Sequence, residues 1–344
     1  MIKNLLIKAE NLYALEFLLH EKNMKEKIDL VYIDPPFATN ENFTLSDGRA
    51  STISKSKKGE LAYSDKIIGK DFINFMKERL LIIKELMSKQ GSIYVHTDYK
   101  IGHYMKVMMD EVFGINNFRN DITRIKCNPK NFRRIGFGNI KDCILFYTKT
   151  NNPIWNEPHY GYTKIEIERL FTKVDSNGRR YTTVPIHAPG ESKNAKPFKG
   201  LYPPVGRHWR TDVHTLEEWD KQNLIEWSNT GNPRKIIYAD ETEGMRVQDV
   251  WKEYKDPLYP SYPTEKNFKM IELIVKTSSN IDSIVLDCFC GSGTTLLAAQ
   301  NNGRHWIGID SSNHAIEATR KKMKLYQDAT IDSEFEYLKF NTES

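Results

Sequence analysis

Residues 285–310 read VLDCFCGSGTTLLAAQNNGRHWIGID. An apolar run ends in Asp287, a glycine turn follows, then a helix-like stretch and a second apolar run that closes on Asp310. Strand, tight turn, helix and strand form the repeating unit of a parallel sheet with helices on its faces. Gly291 and Gly293 let the turn backbone come close to a ligand. The helix starting near Thr294 offers free N–H groups and a positive dipole end. Asp310, about twenty residues on, can accept hydrogen bonds from ribose hydroxyls. The unit therefore points to a nucleoside-containing cofactor.

Two common nucleotide turns fail here. The dinucleotide fingerprint needs a third glycine where this chain has Leu296, and no lysine follows the turn as a phosphate loop requires. An acid ahead of the turn, Asp287, suits a cationic cofactor better than a pyrophosphate. S-adenosylmethionine, with its sulfonium and ammonium, fits.

The same alternation opens the chain. IKNLLIK (2–8) reads as a strand, residues 10–22 as a helix with Leu12, Leu15, Leu18 and Leu19 on one face, and IDLVYI (28–33) as a strand buried on both sides. KDFINFMKERLLIIKELMSKQG (70–91) is an amphipathic helix with Gly91 at the expected C-cap, and SIYVHTD (92–98) is the next strand. The fold class is α/β with a doubly wound, mostly parallel sheet. The alternation breaks near residue 118 and resumes near 264, where a helix capped by Thr264 is expected. Between them lies a Pro-, Gly- and Trp-rich module. Residues 38–68, polar and without a period, read as a long mobile loop.

Strand 28–33 ends in Asp34-Pro35-Pro36-Phe37. Two prolines cannot donate to a ladder or continue a helix, so the segment is stiff and its carbonyls are left outward.

Bulk properties narrow the function. The 344 residues are 39% hydrophobic and 28% charged, a globular balance, and no apolar run approaches a membrane span. Cys127, Cys143, Cys288 and Cys290 form no disulfide framework or paired zinc motif, so no metal is expected. The start, Met1-Ile2-Lys3-Asn4, leads into no signal peptide, and a cytoplasmic location is expected. Net charge is only +5, but residues 119–141 carry seven Lys/Arg against one Asp. KNAKPFKGLYPPVGRHWR (193–210) adds five basic residues, no acid, and Phe198, Tyr202 and Trp209. Basic runs interleaved with aromatics suit a polyanion whose bases can stack.

Together the two motifs resemble the amino-methylating DNA methyltransferases, in the permuted beta-type subgroup where the catalytic motif precedes the cofactor motif. The resemblance implies a Rossmann-like, S-adenosylmethionine-dependent methyltransferase fold. Asp34, Pro35, Pro36 and Phe37 match its catalytic loop, with Phe37 where Tyr is more frequent. Phe289, Gly291 and Gly293 match its cofactor turn. Tyr262-Pro263-Thr264-Glu265-Lys266-Asn267 retains Pro, Thr and Lys of a motif that precedes the cofactor strand. Lys266 is thereby expected at the cofactor carboxylate, and Glu10 and Asn11 near the cofactor adenine. His96 and Asp98 are further candidates for the pocket lining.

The implied division is residues 1–150 as the catalytic half, 151–257 as a target-recognition insertion, 258–330 as the cofactor half and 331–344 as a polar tail. Arg133, Arg134, Arg207 and Arg210 are expected to touch DNA, and Lys55, Lys57 and Lys58 to close on it. The implied reaction is methylation of adenine N6 in a specific duplex DNA site after base flipping, in a restriction–modification setting. Double-stranded DNA, a cognate restriction endonuclease and a second copy of the chain are the implied partners, with no membrane. Cytosine-N4 methylation and a non-catalytic specificity subunit on the same fold are the alternatives. Cytosine-C5 chemistry is excluded, because no cysteine follows a proline.

Overall fold

The computed structural model describes residues 4–35, 42–46, 49–51, 60–64, 70–129, 135–192, 196–258, 260, 265–325 and 335–340. The chain divides into two compact units, Met1–Pro158 with Gln248–Ser344, and His159–Val247.

In the first unit, β1 (Asn4–Lys8) leads into α1 (Asn11–His20) and β2 (Ile28–Ile33). The segment read as a mobile loop carries three short strands, β3 (Asn42–Ser46), β4 (Arg49–Ser51) and β5 (Glu60–Ser64), paired antiparallel in the order β4-β3-β5. Lys55, Lys57 and Lys58 lie outside the described residues. Helix α2 (Lys70–Leu86) buries Phe72, Met76, Leu80 and Ile83 on its apolar face, with Leu86 beside them. It stops five residues before Gly91 and runs directly into β6 (Met87–Thr97). Gly91 is thus a strand residue, not a helix cap. A Cβ there would stand 3.0 Å from the carbonyl oxygens of Ile28 and Ser88, so close strand approach explains the glycine. Then come α3 (Gly102–Phe113), β7 (Phe118–Ile125) and β8 (Lys141–Thr148).

The second unit contains β9 (His159–Tyr160), α4 (Lys164–Leu170), β10 (Lys173–Val174), β11 (Arg180–Pro185), β12 (His187–Pro189), β13 (Arg207–Trp209), α5 (Val213–Lys221), β14 (Ile225–Trp227), β15 (Pro233–Tyr238) and β16 (Met245–Arg246). Its sheets are small and antiparallel: β10-β11-β15-β14, the β12/β13 ribbon and the β9/β16 pair. Ile186, Phe198, Trp209 and Leu216 form its own core.

The chain re-enters the first unit with β17 (Val250–Trp251), α6 (Phe268–Ser278), β18 (Ile284–Asp287), α7 (Thr294–Asn301), β19 (His305–Asp310), α8 (Asn313–Leu325) and β20 (Phe335–Lys339). Nine strands form one sheet in the order β17-β7-β8-β6-β2-β18-β19-β1-β20. All neighbours are parallel except at β8, which runs against both β6 and β7. This is a Rossmann-like doubly wound sheet. Leu30, Val31, Ile33, Val285 and Leu286 are fully buried at its centre, as near-continuous apolar strands require.

Three boundaries differ from the sequence reading. Strands β7 and β8 belong to the main sheet, because the antiparallel β8 breaks the strand–helix alternation without leaving the fold. Asn267, not Thr264, caps α6: its Oδ1 accepts from Met270 N at 3.2 Å, and Thr264 lies outside the described residues. The tail contributes β20 as the edge strand beside β1. Among the described residues, no helix is long and apolar enough to cross a membrane.

Candidate active site

The ends of β2, β18 and β19 converge on three carboxylates. Asp34 follows the last residue of β2. Its Oδ2 forms an ion pair with Lys266 Nζ, and its Oδ1 is buried with no hydrogen-bond partner among the described residues. Pro35 is buried beside it, whereas Pro36 and Phe37 lie outside the described residues. Asp287, the last residue of β18, is 3% exposed. Burial pushes its carboxyl up to about 7, and the nearby charges of Asp34 and Asp310 add to the rise. Its Oδ1 accepts from Phe289 N at 3.0 Å. Asp310, closing β19, is also raised by burial, and it accepts from Gly291 N and Ser312 N at 2.9 Å each.

The glycine turn is held from two sides. Gly291 and Gly293 have φ of 49° and 76°, the left-handed region where glycine is favoured. A Cβ on Gly293 would stand 2.8 Å from Thr319 of α8, and Thr319 Oγ1 donates to Gly291 O at 2.9 Å. The second glycine therefore admits a neighbouring helix. Lys322, one turn further along α8, donates to Ser292 Oγ at 2.9 Å, Thr294 Oγ1 at 3.1 Å and Glu265 Oε1 at 2.5 Å. The Thr294 hydroxyl, expected at the cofactor, is held by this lysine.

At the end of β1, Glu10 caps α1 through Oε2, which accepts from Leu12 N at 2.8 Å and Tyr13 N at 3.2 Å. Asn11 Nδ2 donates to Cys288 O at 3.2 Å, tying this junction to the end of β18. Both residues meet Arg79 of α2, which pairs with Glu10 and donates to Asn11 Oδ1 at 2.5 Å. The guanidinium lies 3.4 Å over the Phe75 ring, and Phe75 faces Phe289.

A second polar chain runs along the sheet from β2. Tyr32, two residues before Asp34, donates to Nδ1 of the wholly buried His96 at 2.9 Å. His96 Nε2 donates to Asp142 Oδ2 at 3.2 Å. Burial would raise the Asp142 carboxyl, but His96 and Lys126 outweigh it and hold it well below the usual range. Asp142 is thus the acceptor, which fixes the His96 tautomer as Nε2–H. Burial lowers the His96 pKa, against the opposing pull of Asp142. Asp142 also accepts from Lys126 at 2.7 Å and from the fully buried Arg124 at 3.4 Å.

The sequence profile described as DNA methylase, of the N6/N4 type, matches residues 28–321. The chain belongs to the N6/N4 DNA methylase family. It is 38% identical to the type II methyltransferase M.EcaI of Enterobacter cloacae over 94% of its own length and 70% of the relative. It is 27% identical to the StyLTI Mod subunit of Salmonella typhimurium, a type III restriction-modification enzyme, over 85% of this chain and 49% of that one. The chain thus spans about half the length of that Mod subunit. The protein TTHA0409 of Thermus thermophilus, solved with S-adenosyl-L-methionine, shares the fold with a TM-score of 0.51 at 13% identity, covering 99% of this chain and 100% of that one.

In this DNA methylase the expected nucleic-acid residues fall in different places. Arg133 and Arg134 lie outside the described residues. Arg207 and Arg210 are exposed in the second unit and converge on His187, Arg207 reaching its Nδ1 at 3.1 Å and Arg210 its carbonyl at 3.3 Å. Part of the basic run 119–141 faces inward. Arg124 and Lys126 serve Asp142, and Arg119 bonds Thr148 and Asn151. Sequence reading missed Arg79, Arg124, Thr319 and Lys322. Only Arg79 left a signal, a single guanidinium within the apolar FINFMKERLLII.

Proposed function

We propose that this chain transfers a methyl group from S-adenosylmethionine to the N6 amino group of adenine in a specific duplex DNA site, as the modification activity of a restriction–modification system in the cytoplasm. A cognate endonuclease and a second copy of the chain complete the proposed setting. The observation that carries the reading is Asp34 Oδ1, a buried acceptor with no partner among the described residues, at the mouth of a parallel sheet.

The residues present fit the cofactor. Asp287 is a buried carboxylate raised to about 7 by burial beside two other acids, so a cation is the ligand that relieves it. Asp310, the 291–293 turn, Asn11 and Phe289 are the groups that would hold the nucleoside end. Bound there, S-adenosylmethionine supplies an electrophilic methyl on sulfur.

The chain's own part is to make a poor nucleophile reactive. The adenine amino lone pair is delocalised into the ring. Asp34 Oδ1 accepts one N–H and the Pro35 carbonyl accepts the other, which localises the lone pair toward the methyl. As the N–C bond forms the methyl–sulfur bond breaks, its electron pair going to sulfur; the nitrogen then carries an extra proton, and the Asp34 carboxylate takes it. The target atom is hidden in duplex DNA, so the base must leave the stack. Phe37 then offers a ring face, worth on the order of 1–3 kcal/mol of stacking. Asp at the first position of the loop favours adenine over cytosine by family resemblance.

The test is nucleoside mass spectrometry of unmethylated DNA incubated with the protein and S-adenosylmethionine, beside Asp34→Ala. N6-methyladenine that vanishes in the variant supports the full reading. N4-methylcytosine keeps the mechanism and overturns the base. No methylated base, despite cofactor binding, overturns the proposed activity of this chain on DNA.

A further inference from the structure

In this structure the Lys266 ammonium is on Asp34 Oδ2. A carboxylate that can turn about its Cβ–Cγ bond presents either oxygen. Fixing a cation on one oxygen breaks that symmetry and aims the other. Here the other, Oδ1, is the buried acceptor without a partner among the described residues. Preorganisation of this kind matters only if the lysine is itself held.

It is held from both flanks. On one side, Glu265 accepts from Lys322 of α8 at 2.5 Å. On the other, Asn267 caps α6 and donates through Nδ2 to Lys255 O at 2.8 Å. Lys255 is flanked by two contacts of Arg124, whose Nε donates to Tyr254 O at 2.8 Å and whose Nη2 pairs with Asp256. Asp256 N also donates to Lys126 O at 2.8 Å. From Arg124 the chain of contacts runs through Asp142, His96 and Tyr32 back along β2 to Asp34. The ring is closed: Asp34, Lys266, Asn267, Lys255, Arg124, Asp142, His96, Tyr32. Arg124, His96 and Asp142 are buried within it.

We propose that Lys266 is a positioning residue for Asp34, occupying Oδ2 so that Oδ1 faces the target amine, and that buried Arg124 holds Lys266 in place through the segment 254–256. The inference rests on the methyltransferase reading above. It assigns Lys266 to the chemical step rather than to cofactor affinity.

The experiment compares Lys266→Met, Lys266→Gln and Lys266→Arg with the wild type. Single-turnover methylation at saturating S-adenosylmethionine is measured beside the cofactor Kd by calorimetry without DNA, which also reports that each variant is folded. The expected result is a rate about a hundredfold lower in Lys266→Met, with Kd within about twofold and about tenfold recovery in Lys266→Arg. Arg124→Lys, which keeps the charge but loses the fork, is expected to lower the rate with Kd likewise unchanged. A Kd weakened tenfold or more, with the saturated rate intact in Lys266→Gln or Lys266→Met, overturns the proposal and makes Lys266 a cofactor ligand. Absence of methylation by the wild type overturns the underlying reading itself.

Discussion

Arg79 of α2 donates through Nε to Asn11 Oδ1 at 2.5 Å, from a guanidinium that is almost wholly buried. One side chain thereby orients the Asn11 amide onto Cys288 O and anchors the Glu10 cap of α1. Cys288 leads directly into the 289–293 turn proposed to hold the cofactor. In Arg79→Met, two acceptors and the Phe75 carbonyl lose their donor while the apolar stem is kept. Breaking a buried pair costs about 3–5 kcal/mol, and the half-exposed Glu10 carboxylate brings this toward about 2 kcal/mol. Urea denaturation should show that loss, and calorimetry a weaker cofactor affinity. Unchanged values in both would remove Arg79 from the site.

Asp287 sets a pH dependence with two opposite signs. Its native carboxyl sits at about 7, so between the ordinary carboxylate range and about 7 the native state binds more protons than the unfolded one. Stability of the cofactor-free protein therefore falls as pH rises through that window. A cationic ligand favours the ionised form, so its affinity rises over the same window, by up to about tenfold per pH unit. Asp287→Asn should raise the thermal midpoint at pH above about 7, weaken cofactor binding there and flatten its pH profile. A wild-type Kd that does not change from about pH 5.5 to 7 would contradict this account.

The turn offers a cleaner test of packing. Gly293→Ala places a Cβ against Thr319 in a left-handed backbone, and costs from the two sources of about 1–2 and 1–3 kcal/mol are expected. Thr319→Ala removes the clash but also the bond to Gly291 O. The double variant should be less destabilised than the sum of the singles, by at least about 0.5 kcal/mol in a double-mutant cycle. Additive losses would mean that Thr319 does not set the space at Gly293.

Much of this architecture could be read from residue pattern, and the exceptions have physical causes. The strand–turn–helix–strand at 285–310 and the buried 28–33 strand follow from apolar runs closed by glycine or proline. Those ends bring Asp34, Asp287 and Asp310 into one charge environment. Leu296 stands where a dinucleotide turn has its third glycine. The structure supplies the missing space from the other side, at Gly308 of β19, where any Cβ would collide with Leu296. Local pattern cannot show such exchanges, because they are made between elements. The same holds for Lys266 on Asp34, 232 residues apart by their numbers, and for Arg124, whose charge reads as surface until Asp142 and Asp256 are placed beside it.

His96 should mark the acid limit of stability. Burial holds its native pKa below the ordinary histidine value, so the native state binds fewer protons than the unfolded one between the two. Stability is therefore lost as pH falls below about 6.5, before the contribution of the depressed Asp142 is lost at more acid pH. His96→Gln can still accept from Tyr32 and donate to Asp142, but it does not titrate. Thermal midpoints between about pH 5 and 6.5 should be flatter in this variant than in the wild type. Equal slopes would mean that other groups govern the acid limb.

Arg207 and Arg210 are exposed around His187, whose pKa is lowered by burial and then by Arg207, with Arg210 and Arg234 adding to the effect. Burial is the larger cause, and the three arginines add their positive charge to it. If both arginines contact phosphates, Arg207→Ala with Arg210→Ala should weaken duplex binding and lower the slope of log K against log salt by about 0.9 per lost contact. Arg207 carries a second duty, donating to His187 at 3.1 Å, so single variants separate loop disturbance from lost charge. If one arginine reads a guanine edge instead, its variant should lose about 1–3 kcal/mol on the cognate site and little on random DNA. Fluorescence anisotropy from about 50 to 200 mM salt distinguishes the two. Affinity and slope unchanged in the double variant would take this ribbon out of the DNA interface.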